Sequence, residues 1–194
     1  KIGKTLQTGE DSNAIILPPT DNGFNFTEPV GFFNGWLFRN NDGLEKYRSQ
    51  VKHAFRPSKE YEIKLNNFLK TFSPEQFKVA IHIRRTDYRT HLDGQYYYEI
   101  EDYKNVIRKI EKKYSKKNIV FIIFSDEPRS LKEFSDIQNE VVLSPFLEDF
   151  VIDLFLISEC NLIVGPPSSF SQFAAWYGDT TLLQLENLQD FLKK

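Results

Sequence analysis

The run His-Ile-Arg-Arg-Thr-Asp at residues 82–87 is the segment of this chain best suited to chemistry. It directly follows the alternating apolar residues of a predicted β-strand, so its polar side chains emerge at the strand's end. By that alternation, His82 and Arg84 share one face while Arg85 points away. A guanidinium makes paired, charge-assisted hydrogen bonds to the oxygens of a diphosphate. A plain Arg–Asp ion pair at the end of a strand is the alternative interpretation.

A second polar segment, Ser-Asp-Glu-Pro at residues 125–128, ends the next apolar run. The carboxylate of Asp126 could hold a ribose hydroxyl or orient one of the arginines. It could instead cap the short helix that is predicted over residues 130–134. The pattern leaves both interpretations open.

Asp153 lies within a mostly apolar helix that is predicted over residues 146–160. A buried carboxylate needs a partner, because an unpaired charge in an apolar environment is costly. The N1–H and 2-amino groups of a guanine could be that partner. From the pattern alone, we favour the alternative that Asp153 occupies an exposed edge of the helix, one turn after Asp149.

The loop Gly-Pro-Pro-Ser-Ser-Phe-Ser, residues 165–171, joins a predicted strand to a predicted helix. Backbone N–H groups and the positive end of the helix dipole bind anions at such a start. The hydroxyls of Ser168, Ser169 and Ser171 would add donors. Serines also cap helices for structural reasons alone, so the loop by itself is only suggestive.

A polar loop with Arg89, His91 and Asp93 precedes three tyrosines at residues 96–98, on which an acceptor sugar could stack, although ordinary packing is the simpler explanation. The three histidines of the chain are far apart, and we predict no metal site. The single cysteine, Cys160, lies in an apolar run and is predicted to be a buried structural thiol.

Alternating strands and helices follow residue 77. This rhythm predicts an α/β fold, a Rossmann-like parallel sheet with flanking helices. Ligands of such sheets bind beyond the carboxyl ends of the strands, where residues 82–87, 125–128, 144–145 and 165–171 lie. The predicted strands cover residues 79–83, 119–124, 141–143, 162–164 and 181–185, and the helices cover residues 103–114, 130–134, 146–160 and 171–177.

The amino-terminal part has a different character. Residues 1–30 are predicted to be irregular, because they are rich in Gly, Pro, Asn and Thr. An aromatic cluster at residues 31–36 is expected to pack on another part of the protein. Helices are predicted over residues 44–54 and 61–72, with Ser58 capping the second.

Composition excludes several classes of function. The net charge of -2 gives no general attraction to nucleic acid or to an anionic membrane. No run approaches the roughly 20 apolar residues of a transmembrane helix, and no signal peptide opens the chain. Since the chain begins with Lys and has no Met, we expect a fragment of a longer protein. We expect it to be cytoplasmic, or peripheral at the cytoplasmic face of a membrane.

The three polar segments resemble those of the fucosyltransferases that form alpha-1,2, alpha-1,6 and protein O-linkages. Residues 82–87 match their His-x-Arg-Arg-x-Asp signature. Residues 124–128 are similar to a Ser/Thr-Asp-Asp-Pro segment, and residues 153–171 resemble a block that combines an Asp-led helix, a strand and a Ser/Thr-rich loop. Residues 31–36 are similar to a segment of the bacterial alpha-1,2 enzymes, glycosyltransferase family 11.

This resemblance implies the donor-binding half of a GT-B-type glycosyltransferase, with GDP-fucose as donor substrate and a glycan as acceptor. It implies inversion of configuration and no divalent metal or other cofactor. Residues 76–194 would form the GDP-sugar-binding domain, and residues 1–75 a connecting remnant of the acceptor-side half.

The resemblance also implies a role for each site residue. Arg84 and Asp87 would be catalytic, with Arg84 on the β-phosphate and Asp87 supporting the arginines. The donor-binding residues would hold the guanosine, shape the nucleotide pocket or bind the phosphates; they are His82, Arg85, Asp126, Asp153, Ser168, Ser169 and Ser171.

Two departures leave the linkage open. Thr86 stands where the alpha-1,2 enzymes usually have Gly, and Gln172-Phe173 stands where they carry other aromatics. Two other functions remain open as well: a non-catalytic nucleotide-sugar-binding module, and a glycosyltransferase that uses a different donor.

Overall fold

The computed structural model describes residues 6–7, 15–16, 33–34, 38–39 and 41–187. Contacts group the chain into two compact units, Lys1–Arg56 and Pro57–Lys194. Most of the predicted irregular segment and most of the aromatic cluster at residues 31–36 lie outside the described residues.

Short elements make up the described part of the first unit. Two pairs of two-residue strands run parallel, β1 with β3 and β2 with β4. The helix predicted over residues 44–54 is present as two helices that are separated at Tyr47. The bounds are β1 Leu6–Gln7, β2 Ile15–Ile16, β3 Phe33–Asn34, β4 Phe38–Arg39, α1 Asn41–Lys46 and α2 Arg48–Ala54.

A five-stranded parallel sheet forms the centre of the second unit, in the order β7-β6-β5-β8-β9. The middle strand β5 comes first along the chain, followed by β6 and β7 on one side of it. The chain then adds β8 and β9 on the other side of β5. The carboxyl ends of β5 and β8 therefore flank the point where the strand order reverses, which is where such sheets bind ligands. The strands are β5 Phe77–Ile83, β6 Ile119–Ser125, β7 Glu140–Leu143, β8 Leu162–Gly165 and β9 Thr181–Gln184.

Helices cover both faces of this sheet, as predicted. Four α-helices and four 3₁₀ helices are described in this unit. The α-helices are α3 Lys59–Leu69, α4 Ile100–Lys113, α5 Phe150–Ser158 and α6 Ser169–Gly178, and the 3₁₀ helices are Asp87–Arg89, His91–Gly94, Leu131–Phe134 and Leu185–Asn187.

The alternation of side chains divides the core into two layers. Val79, Ile81 and Ile83 of β5 pack with the apolar stripe of α4. Ala80 of the same strand belongs to the opposite layer, with residues of α3, α5 and α6 such as Leu156. Strand β6 is buried on both faces, which explains its continuous apolar sequence. The sheet is thus a rigid support for the polar residues that follow its strands.

Helix boundaries follow local hydrogen bonds. Ser58 caps α3 as predicted, since its Oγ accepts a hydrogen bond from the N–H of Tyr61. Helix α5 begins at Phe150 rather than at Phe146, because residues 146–149 form a separate turn in which the Asp149 N–H donates to the Phe146 carbonyl. Helix α3 shares a core layer with α5, so by contacts it belongs with the sheet. A functional boundary after residue 75 stays a prediction.

Helices α5 and α6 approach closely at Gly178. A Cβ added there would lie 2.0 Å from the carbonyl oxygen of Ser158, which is backbone and cannot rotate away. We therefore expect Gly178→Ala to lower the free energy of unfolding by about 1–3 kcal/mol, as overpacking does. Chemical denaturation measures this loss.

Gln172→Ala provides the control, since Gln172 is exposed on the same helix. Equal stabilities of the two variants would contradict the close approach of α5 and α6.

Candidate functional site

Arg84 leaves the end of β5 and forms a two-point ion pair with Asp87. Its Nε donates to Asp87 Oδ1 over 3.0 Å and its Nη2 donates to Oδ2 over 2.8 Å. This contact raises the pKa of Arg84 and holds that of Asp87 below its usual value. The pair uses one edge of the guanidinium, which leaves the edge formed by Nη1 and the second Nη2 hydrogen for a ligand. One third of the Arg84 side chain is exposed.

Tyr88 connects Arg84 with the serine-bearing loop. The guanidinium lies over the Tyr88 ring, 5.3 Å from its centroid. The Tyr88 hydroxyl donates to the carbonyl of Pro167 over 2.5 Å. Arg84 therefore lies on the side of the loop that precedes α6, at the point where the strand order reverses.

Asp126 secures the backbone that carries the arginines. Its carboxylate accepts hydrogen bonds from the Arg85 N–H at 3.0 Å, the Thr86 N–H at 3.1 Å and the Thr86 hydroxyl at 2.6 Å. The alternative that Asp126 caps the helix at residues 131–134 is wrong, because Ser130 caps it. Asp126 instead joins the ends of β5 and β6.

Arg85 points away from Arg84, as the alternation predicts, and its guanidinium contacts protein groups. It forms ion pairs with Glu99 at 3.0 Å and with Glu127 at 3.1 Å, and it donates to the Tyr97 hydroxyl. Only 12% of its side chain is exposed. These contacts suit a residue that fixes the loop rather than one that reaches a ligand directly.

His82 is buried at the end of β5 against the start of α6. Its ring lies 5.3 Å from that of Phe170. Burial and, secondarily, the Arg84 charge lower the pKa of His82 to about 4, so the ring is neutral at pH 7. Its Nδ1 is buried without a partner among the described residues. Gly165 permits this packing, since a Cβ there would lie 3.0 Å from the His82 carbonyl oxygen.

The three serines of the loop have different environments. Ser168 caps α6, because its Oγ accepts from the N–H of Phe170 over 3.2 Å. The hydroxyl of Ser171 is fully buried and donates to the carbonyl of Ser168. Ser169, in the first turn of α6, is exposed. The hydroxyl of Ser169 and the N–H groups of the first turn are therefore the donors best placed for an anion.

Asp153 is buried, with 6% exposure, so the favoured prediction of an exposed edge is wrong. The Ser144 hydroxyl donates to its Oδ1. Burial raises the pKa of Asp153 to about 6, while the hydrogen bond from Ser144 opposes the rise. Asp153 and Ser144 line a cavity of about 140 Å³ beyond the carboxyl ends of β6 and β7. The buried carboxylate thus faces a space that could hold a ligand.

Arg129 is a residue of the candidate site that the sequence prediction missed. It lines the same cavity as Asp153 and lies one residue beyond the Ser-Asp-Glu-Pro segment. Its guanidinium forms ion pairs with Glu127 and Glu133. The only signal in the sequence was its position next to that segment.

Two other residues singled out in the sequence, Tyr97 and Cys160, have environments that suit packing. Tyr97 lies between Arg85 and Arg89, with their guanidinium carbons 4.8 and 5.4 Å from its ring centroid. Burial raises the pKa of the Cys160 thiol to about 12, as expected of a structural cysteine.

Within residues 41–187 and the four short strands before them, no cluster of three His, Cys, Asp or Glu residues could hold a metal ion. No helix in that part of the chain is both long and apolar enough to cross a bilayer.

Comparison with known proteins identifies relatives of this arrangement. The family model of glycosyl transferase family 11 matches residues 40–193. This match confirms the resemblance drawn from residues 82–87, 124–128 and 153–171. Among curated proteins, none matches the chain significantly.

Solved structures of fucosyltransferases match the fold. The fucosyltransferase NodZ from Bradyrhizobium aligns at 13% identity and a TM-score of 0.51, covering 77% of this chain and 63% of NodZ. FUT1 from Arabidopsis thaliana in complex with GDP aligns at 12% identity and a TM-score of 0.47, covering 73% of this chain and 38% of that protein. The likeness to NodZ confirms the predicted Rossmann-like, GT-B-type fold. The chain spans less than two thirds of the length of NodZ.

The buried Asp153 carboxylate generates a stability prediction. Because its pKa of about 6 exceeds its ordinary value of 3.8, the folded state holds the proton more tightly than the unfolded state. Stability therefore falls as pH rises from about 4 to about 6, by at most about 3 kcal/mol. Asp153→Asn, which can still accept from Ser144, should be more stable than the parent at pH 7 and equally stable near pH 4.

Thermal unfolding at the two pH values measures this difference. Asp93→Asn, at an exposed site, serves as the control and should behave alike at both. A gain for Asp153→Asn that is the same at both pH values would contradict the raised pKa.

Proposed function

The chain belongs to glycosyl transferase family 11, and from this premise we propose that it transfers L-fucose from GDP-fucose to a hydroxyl of a glycan acceptor. The reaction inverts the configuration at the anomeric carbon and uses no metal ion. Residues 76–194 bind the donor, and residues 1–75 form a connecting remnant of the acceptor-side half.

One observation carries the proposal. The Arg84 guanidinium stands at the reversal of strand order, where parallel sheets bind ligands. It is oriented by two hydrogen bonds to Asp87 and by the ring of Tyr88. Its remaining N–H edge has the geometry that pairs with two phosphate oxygens.

The mechanism follows from where negative charge develops. The acceptor oxygen forms a bond to the anomeric carbon of fucose and gives its proton to a base, while the bond from that carbon to the diphosphate breaks. Both bonding electrons leave with GDP, so charge grows on its β-phosphate oxygens. Arg84 and the N–H groups at the start of α6 are donors already aimed at that charge, and fixed donors of this kind lower the barrier.

The other site residues divide between the nucleotide and the scaffold. Asp153 accepts hydrogen bonds from guanine, and the neutral His82 packs beside the guanosine. Ser169 contacts the phosphates. Asp126 and Arg85 maintain the shape of the loop after β5.

Ser168 and Ser171 act through the helix start. Ser168 caps α6, and Ser171 donates to the Ser168 carbonyl. In this proposal, the two serines bind the phosphates indirectly, by orienting the N–H groups of the first turn.

Arg84→Ala tests the central role. Removing one preorganised donor lowers the rate roughly 100- to 1000-fold, and we expect loss of transfer and of GDP-fucose hydrolysis in that range. The fold should persist, because one third of the side chain is exposed. Turnover by the full-length protein, with GDP-fucose, GDP-mannose and UDP-sugars offered separately, measures both activity and donor choice.

Arg108→Ala is the matched control, since Arg108 also forms ion pairs but lies on α4. Near-normal turnover by Arg84→Ala would refute the proposal. GDP binding without any turnover of the parent protein would instead favour a non-catalytic nucleotide-sugar-binding module.

A further inference from the structure

Four apolar residues line the cavity beside Asp153. They come from the ends of β6 and β7 and from the two loops that follow. These apolar residues are Ile123, Pro128, Leu143 and Leu147. A mostly apolar lining with a few polar groups is typical of sites that bind small organic ligands such as a nucleotide base.

The cavity lining contains carboxylates, Asp153 and Glu127, and one guanidinium, Arg129, which is paired with Glu127. Asp153 supplies carboxylate oxygens, and Ser144 fixes the carboxylate by donating to Oδ1. Arg129 supplies N–H donors. Both side chains line the cavity, although they come from different elements, α5 and the loop after β6. A ligand that satisfies both must present donors to one and acceptors to the other.

Arg129 is held in place but not saturated. Its Nη2 pairs with Glu127 and its Nη1 donates to Glu133 Oε1 over 3.0 Å. A guanidinium has five N–H donors, and Nε of Arg129 is buried with no partner among the described residues. Only 11% of the side chain is exposed. The two glutamates thus orient a guanidinium that retains capacity for a further acceptor.

We propose that Arg129 is a specificity-determining residue that donates hydrogen bonds to O6 and N7 of the guanine whose N1–H and 2-amino groups bind Asp153. This inference rests on the proposed function, because it assumes a GDP-linked donor. Arginine pairs with O6 and N7 of guanine through two parallel hydrogen bonds. These acceptors adjoin the edge that Asp153 would hold.

The same arrangement rejects adenine. Adenine carries an amino group at position 6, where it would meet the donors of Arg129. Its N1 is an acceptor, which would meet the Asp153 carboxylate. An unsatisfied polar group in a buried site costs more free energy than a hydrogen bond there contributes. Adenine would therefore bind weakly, because it leaves both Arg129 and Asp153 without a matching partner.

Nucleotide analogues test each edge separately. 7-Deaza-GDP lacks the N7 acceptor but keeps the N1–H and 2-amino edge, whereas IDP lacks only the 2-amino group. We expect the parent protein to bind 7-deaza-GDP about tenfold more weakly than GDP, as the loss of one such contact implies. IDP should also bind more weakly than GDP. Isothermal titration calorimetry on the full chain measures these affinities.

Arg129→Lys is the diagnostic variant, because lysine keeps the charge between Glu127 and Glu133 but lacks the planar fork. It should bind GDP about tenfold more weakly and no longer distinguish GDP from 7-deaza-GDP. Its preference for GDP over IDP should remain. Arg108→Lys, at an arginine remote from the cavity lining, should retain every preference.

Two results would overturn this inference. One is equal affinity of the parent for GDP and 7-deaza-GDP, which needs no variant and leaves GDP binding intact. The other is a folded Arg129→Lys variant that still discriminates between them. A parent protein that binds no GDP at all would overturn the proposed function as well, so the two failures are distinguishable.

Discussion

The ion pair between Arg84 and Asp87 is the interaction on which the rest of the site depends. A guanidinium at a strand end is useful only if its free edge has a fixed direction, because a mobile side chain loses entropy on binding. Asp87 accepts hydrogen bonds from one edge of the guanidinium, and the Tyr88 ring packs against its face. The loop that carries Arg84 is itself held by Asp126 from the next strand. The sheet thus fixes the loop, and the loop fixes the direction of the guanidinium.

Burial controls the charge of two other groups of the candidate site. His82 is kept neutral by burial and by the neighbouring Arg84 charge, so it adds no charge and only packs. Burial acts in the same way at Asp153, where it disfavours the charged carboxylate and raises its pKa. A carboxylate that costs stability at neutral pH is typical of a group kept for binding, since ligand donors supply the hydrogen bonds that the free protein lacks.

The sheet and its binding edge were predictable from the sequence, because alternation and buried apolar runs are local signals. The environment of Asp153 was not, since its burial depends on how α5 packs on the sheet and on Ser144, nine residues earlier. The sequence left open whether Asp126 caps a helix, because its partners at residues 85 and 86 are distant in sequence. Arg129 was not predicted as a site residue, because only the fold brings it to the cavity that Asp153 lines.

The most direct test of the central claim is a crystal structure of the protein with GDP bound. We expect the β-phosphate to lie within hydrogen-bonding distance of the outer edge of Arg84 and of the first N–H groups of α6, with the Arg84–Asp87 pair intact. A diphosphate that lies elsewhere on the sheet, with Arg84 contacting only Asp87, would contradict it.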